Sequence, residues 1–307
     1  MGHTRAQERL LYSILESRDR GEKDIKMKYK IIGDSCCDYT KSYNELNWLD
    51  RVPLSIYLDD KHFVDDGSLD INKLINDISK SEDAPRSACP SPGEYLEHFS
   101  CDADDIYVVT LTEKLSGSYN SAVNAAKLFK EKNPKKNIHI FNSKSAASGQ
   151  IAVCLKIHEL VESGKKFNDV VYETENFISN INTFFVLENL EVFRKSGRLN
   201  HLQGIITQAL QIKLVMSGTK DGEICKVGQA LSIPRALEKM VYLLANAYEK
   251  VKDENRRLVI THCNCLDRAK LVRDLILKVC NFNESIICSS GGISTIYANE
   301  GGIIVSF

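Results

Sequence analysis

Apolar positions recur along this chain with two periods, and the periods alternate. YKIIGDS (29–35), DIYVVTL (105–111) and NIHIFNS (137–143) are short apolar runs ending in polar turns, the pattern of strands. Between and after them the spacing lengthens to three and four residues. Tyr119, Val123 and Ala126, with Ala122, Ala125 and Phe129, predict a helix over 116–131. Further helices are predicted over 145–163, which stops near Gly164, and over 167–179. Strands alternating with helices of this length argue for a parallel sheet covered on both faces.

The second half is less regular. TFFVLEN (183–189) predicts a strand, and helical segments follow around 190–195 and 200–211. Asp221-Gly222 between KLVMS and EICKVG predicts a hairpin. A long helix over 234–253 opens on Pro234, a good first-turn residue. A strand over 256–262, a helix over 266–279 and strands over 284–290 and 303–307 complete the pattern. An α/β N-terminal domain with a parallel sheet followed by an α+β C-terminal domain is the expected architecture. The boundary falls near 165–182, giving domains of 28–175 and 176–307. Residues 1–27 stand apart as an extension. Leu10, Leu11, Ile14 and Leu15 make a short helical stripe there, expected to form at most a mobile helix.

Composition narrows the function classes without choosing one. At 307 residues two domains are the prior expectation. Forty Lys and Arg against 41 Asp and Glu leave a net charge of −1, which gives no whole-chain drive toward nucleic acid or anionic membrane. No run of apolar residues approaches a membrane span, and the first residues lack the apolar core of a signal peptide. The ten cysteines are therefore expected as reduced thiols in a cytoplasm, mostly as small core side chains.

Candidate chemistry comes from hydroxyl-rich loops. GxGxxG and GxxxxGK[ST] motifs are absent. Leu115-Ser116-Gly117-Ser118 and Phe141-Asn142-Ser143-Lys144-Ser145 each join a strand to a helix. A helix N-terminus there suits a carboxylate or phosphate, and the serines are equally suited to capping. Pro85-Arg86-Ser87-Ala88-Cys89-Pro90-Ser91-Pro92 is a stiff loop carrying hydroxyls, either an anion clamp or a connector. Lys195-Ser196-Gly197-Arg198 places two cations around a glycine. His262-Cys263-x-Cys265 lacks the second ligand pair of a structural zinc site, so no metal is expected. None of the seven histidines lies in a GxSxG or HExxH context, and no catalytic residue is assigned.

Taken in order, these segments resemble the DegV family of bacterial fatty-acid-binding proteins over about residues 28–307. Asp34-Ser35 resembles the family's opening "DS", and Val52-Pro53-Leu54 with Asp66-Gly67 and Asp70-Ile71 its "PL…DG…I" stretch. Leu115–Ala122 looks like "LSGTYQSA", and Asn142-Ser143-Lys144 like "DSK". Leu190 with Lys195–Arg198 resembles "L..L.KGGR", and Asp221-Gly222 the "DG" hairpin. The resemblance implies one long-chain fatty acid buried between the two domains and presented to a separate fatty-acid kinase subunit. It implies neither a cofactor nor catalysis by this chain alone, and no nucleic-acid partner or stable membrane insertion.

Carried over residue by residue, the carboxylate falls to Ser87, Thr112, Ser116 and Tyr297, with Gly117 and Arg198 supporting it or facing the kinase. Departures from the pattern are Ala88 for a usual Ser, Cys89 for Gln, Leu231 for Arg, Lys213-Leu214 for "KP" and Tyr297 for the His of "HxGPG". They keep two rival readings open: a family member serving mainly in protein interaction, and an enzyme acting on a carboxylate or phosphate at the cleft.

Overall fold

The computed structural model describes residues 29–38, 48–199, 212–251 and 256–307. The readings for 1–27 and for a helix over 200–211 lie outside the described residues. The first sheet is parallel throughout, in the order β2-β1-β6-β7. Its strands are β1 (Tyr29–Asp34), β2 (Leu49–Val52), β6 (Asp105–Thr110) and β7 (Asn137–Asn142). Ile31, Ile32, Val108 and Val109 in the central strands are fully buried, as expected for a sheet covered on both faces.

Three strands that the hydrophobic pattern does not reveal form a small antiparallel sheet, ordered β4-β3-β5. They are β3 (Ser55–Leu58), β4 (Lys61–Val64) and β5 (Arg86–Ala88). The stiff proline loop is thus partly strand. It then becomes a helix start: α2 (Pro92–Phe99) opens with a capping box in which Ser91 and Glu94 satisfy each other's backbone N–H, with Pro92 in the first turn. Helix α1 (Ile71–Lys80), capped by Asp70, precedes it. Helix α3 (Ser118–Lys132) follows β6.

The second sheet is mixed, in the order β10-β9-β8-β13-β11-β12. Its strands are β8 (Thr183–Val186), β9 (Lys213–Gly218), β10 (Ile224–Ala230), β11 (Arg257–His262), β12 (Glu284–Ser289) and β13 (Ile303–Ser306). Only β11 and β12 pair in parallel. Among the described residues this half also holds helices α6 (Glu191–Lys195), α7 (Ile233–Val251), α8 (Leu266–Leu277) and α9 (Gly292–Ala298).

Helix α4 (Ser148–Glu162) lies between the sheets, and α5 (Phe167–Asn180) packs beside it. Every residue of α4 from Ser148 to Leu155 is buried, so this helix has no solvent stripe along that stretch. One hydrophobic core accordingly joins Ile31, Tyr107 and Val109 of the first half to Val259 and Cys288 of the second through Ile151 and Cys154. At the far end of α4, the Trp48 ring stacks on His158 with centroids 4.1 Å apart. Arg257 binds Glu159 of α4 at 2.8 Å and Glu284 at 2.6 Å.

Candidate functional site

The carboxyl ends of β1 and β6 converge on one buried carboxylate. Asp34, at the end of β1, accepts hydrogen bonds from Cys36 N at 3.2 Å and Gln150 Nε2 at 2.9 Å through one oxygen. The other oxygen accepts from Leu111 N at 2.9 Å and Ser118 Oγ at 2.7 Å. Burial raises the Asp34 pKa, and the four donors pull it back. The arrangement pins β1, the loop after β6, the start of α3 and α4 to one point. That loop, 111–117, is one wall of the site.

The opposite wall is α9. Its unpaired first N–H groups are met by two buried aspartates from the first half: Gly291 N donates to Asp38 at 2.8 Å, and Gly292 N and Ile293 N donate to Asp65 at 2.8 and 2.9 Å. Burial pushes the Asp38 carboxyl up to about 7, and burial also raises Asp65. A side chain at Gly292 would meet Asp65 Oδ1 at 2.7 Å, so the aspartate approaches this closely only because the position is glycine. Neither aspartate was singled out in the sequence. The Gly291-Gly292 pair at the start of a short helix was the available signal.

Between these walls runs a cavity. Its empty space including the mouth is ≈ 840 Å³. Leu111, Phe185, Leu187, Ile224, Ile293 and Ile304 are among its apolar walls. Five of the six sequence-nominated residues line it: Ser87, Thr112, Ser116, Arg198 and Tyr297. Gly117 lies just behind, at the N-terminus of α3. A Cβ there would meet Cys89 Sγ at 3.1 Å, so this glycine lets the Cys89 loop close onto the helix start.

The nominated residues divide into two groups. Ser87 Oγ and the Tyr297 hydroxyl are 2.9 Å apart. Arg198 Nη2 lies 3.4 Å from Ser87 Oγ, and Arg198 Nε donates to Leu115 O at 2.9 Å. The guanidinium sits 5.1 Å from the Tyr297 ring centroid, and the Phe193 ring packs against the Tyr297 ring with centroids 4.9 Å apart. Burial raises the Tyr297 pKa, with Arg198 and Ser87 pulling it back, so the phenol is a neutral donor at physiological pH. Ser116 Oγ accepts from Ser118 N at 3.2 Å and leaves its own proton available. The helix cap proper is Gly117, which has no side-chain capping bond.

Thr112 behaves differently. Its hydroxyl donates to Gly222 O at 3.0 Å in the β9–β10 turn and accepts from Lys114 N at 3.3 Å. Its backbone N–H donates to Ser145 O at 2.8 Å. Ser145 Oγ in turn lies 2.7 Å from Thr183 Oγ1, which is 3.0 Å from Ser306 Oγ. These hydroxyls close the seam between the two halves.

This geometry can be set beside known proteins. The family model described as "Uncharacterised protein, DegV family" matches residues 28–307, and the chain belongs to that family. A DegV domain-containing protein of Streptococcus gordonii is 32% identical over 288 residues, covering 92% of this chain and 99% of that one. A DegV-family protein from Ruminococcus gnavus, solved with vaccenic acid, is 41% identical with a TM-score of 0.88 over 92% of this chain and 99% of that one. The Streptococcus pneumoniae Fatty Acid Kinase (Fak) B3 protein, loaded with linoleic acid, is 31% identical with a TM-score of 0.82 over the same 92% and 99%. The mixed α/β architecture with a parallel first sheet is that of these DegV proteins.

Proposed function

We propose that this protein binds one long-chain fatty acid, with the acyl chain in the cavity and the carboxylate at Ser87, Ser116, Arg198 and Tyr297. The observation that carries this reading is a largely apolar cavity whose lining includes two hydroxyls and a guanidinium in mutual contact. Each CH₂ moved from water into such walls contributes about 0.8 kcal/mol, so the chain supplies the affinity. The carboxylate needs only donors. Ser87, Ser116 and Tyr297 offer three hydroxyls, and Arg198 keeps N–H groups beyond those used on Leu115 and Ser87. Thr112 acts as a positioning residue, holding the wall in place through Gly222.

These groups are donors suited to holding a carboxylate in place. We read the chain as a non-catalytic subunit that presents the acid to a separate kinase. The similarity to the Streptococcus pneumoniae Fatty Acid Kinase (Fak) B3 protein supports that reading. Among the described residues no helix is long and apolar enough to cross a membrane.

Native mass spectrometry of the protein as purified tests the proposal. The expected result is an adduct of fatty-acid mass that is released on unfolding. A clean apo mass, unchanged after addition of oleate or palmitate to delipidated protein, would overturn it.

A further inference from the structure

Helix α9 belongs to the second half by sequence and to the first half by packing. Its Ile293 and Ile296 share a core with Leu54, Ile56, Leu74 and Leu111. The small sheet holds this helix at two levels. Asp65, directly after β4, accepts from Gly292 N on one oxygen and from Ile293 N on the other, at 2.8 and 2.9 Å. Ser87 of β5 meets the Tyr297 hydroxyl at 2.9 Å. Strand β3 joins the two points, because Ile56 pairs with Phe63 of β4 on one side and with Ser87 on the other.

The two levels are one helical turn apart. Ile293 and Tyr297 are related as i and i+4, so they share a face with about 6 Å of rise between them. A single bond to the first turn would let α9 swivel about it. Two bonds from one carboxylate to adjacent N–H groups fix both its rotation and its height. Asp65 is buried, and its own N–H is tied to Leu54 O at 2.9 Å, so the carboxylate is itself held in place. The helix start is packed as tightly: a Cβ on Gly292 would meet Leu69 Cδ1 at 2.7 Å and Ile56 Cδ1 at 2.9 Å.

Tyr297 depends on that placement. Its hydroxyl, Ser87 and Arg198 come from three separate segments, and a bond of ordinary length stretched by about 1 Å is no longer a hydrogen bond. We infer that Asp65 is a positioning residue of the binding site: it fixes how far Tyr297 reaches toward the ligand carboxylate without lining the cavity itself. The inference rests on the fatty-acid reading and adds to it a residue outside the cavity.

A double-mutant cycle on the delipidated full chain, read by calorimetric titration with palmitate, tests it. Asp65→Asn keeps the size of the side chain but turns an amide N–H₂ toward one of the two helix N–H groups, whichever way it is flipped. It is expected to weaken palmitate binding about fivefold. Tyr297→Phe alone should do the same, and adding Asp65→Asn to it should change affinity by less than about 1.5-fold. Gly292→Ala pushes on the same contact from the helix side and should show the same dependence on Tyr297; it carries the cycle if Asp65→Asn does not fold. An equal loss with and without the Tyr297 hydroxyl would make Asp65 merely structural and overturn the inference. So would an Asp65→Asn protein that binds palmitate like the parent. Both results leave the fatty-acid reading standing, whereas a parent chain that binds no palmitate would overturn the two together.

Discussion

The two polar groups lining the cavity are made from the same residue types and do opposite things. At Ser87 the hydroxyls meet one another and a guanidinium, so protons remain to be offered to a ligand. Around Thr112 the hydroxyls of Thr112, Ser145 and Thr183 are taken up by partners across the seam. A hydroxyl next to a cavity is thus not in itself a ligand contact. What decides is whether the fold has already given its proton a destination. One group is built to receive, and the other mainly to fasten.

The sharpest way to break this contrast is to remove the anchor of the 111–117 wall, which carries both Thr112 and Ser116. Asp34→Ala removes the buried acceptor shared by Cys36 N, Leu111 N, Ser118 Oγ and Gln150 Nε2. The expected loss is about 4 kcal/mol of stability, because buried donors left unmade each cost a desolvation penalty. Chemical denaturation measures it, and a loss under 1 kcal/mol would show that the carboxylate is dispensable.

Gly222→Val attacks the fastening group alone. The residue sits at φ +82°, and a Cβ would collide with Thr112 Oγ1. Strain and clash together are expected to cost about 3 kcal/mol, visible in the unfolding midpoint.

A paired comparison then separates the two groups directly. Ser87→Ala is expected to weaken palmitate binding about tenfold with little change in stability, since it removes a donor to a charged group. Thr112→Val should do the reverse, lowering stability by about 1 kcal/mol and leaving affinity within about twofold. Calorimetric titration and thermal unfolding of both variants read this out, and an exchange of the two phenotypes would refute the assignment.

The smallest expected effect is an absence of one. The Tyr297 pKa is raised above its ordinary 10, so its proton stays on at every lower pH. Ligand affinity should be flat from about pH 7 to 9, where the phenol remains neutral. Tyr297→His should bind more tightly at pH 6 than at pH 8, because an imidazole titrating near 6.5 becomes cationic beside the carboxylate.

How much of this was legible in the sequence follows from how far apart the partners lie. Strands β1, β6, β7 and β11 and helices α3, α4, α5 and α7 announce themselves through local periodicity. The small sheet does not: β4 is largely exposed and β5 has three residues, too short for alternation to show. Helix α2 carried its capping box in plain view, but three prolines in eight residues pointed to a connector instead. The family pattern nominated the cavity-lining residues, yet it could not assign them to one group or the other. Thr112 meets its acceptor 110 residues along the chain, and Ser87 meets Tyr297 across 210.

The stacking of Trp48 on His158 has a practical consequence. Trp48 is the sole tryptophan of the chain, and it is buried in the core that α4 shares between the two halves and does not line the cavity. Its fluorescence therefore reports the integrity of that shared core and is blind to occupancy. Burial lowers the His158 pKa, so the imidazole beside the indole stays neutral until the solution turns acidic. Emission should stay constant through a lipid titration at neutral pH. It should be quenched only when His158 takes up a proton or when α4 comes loose.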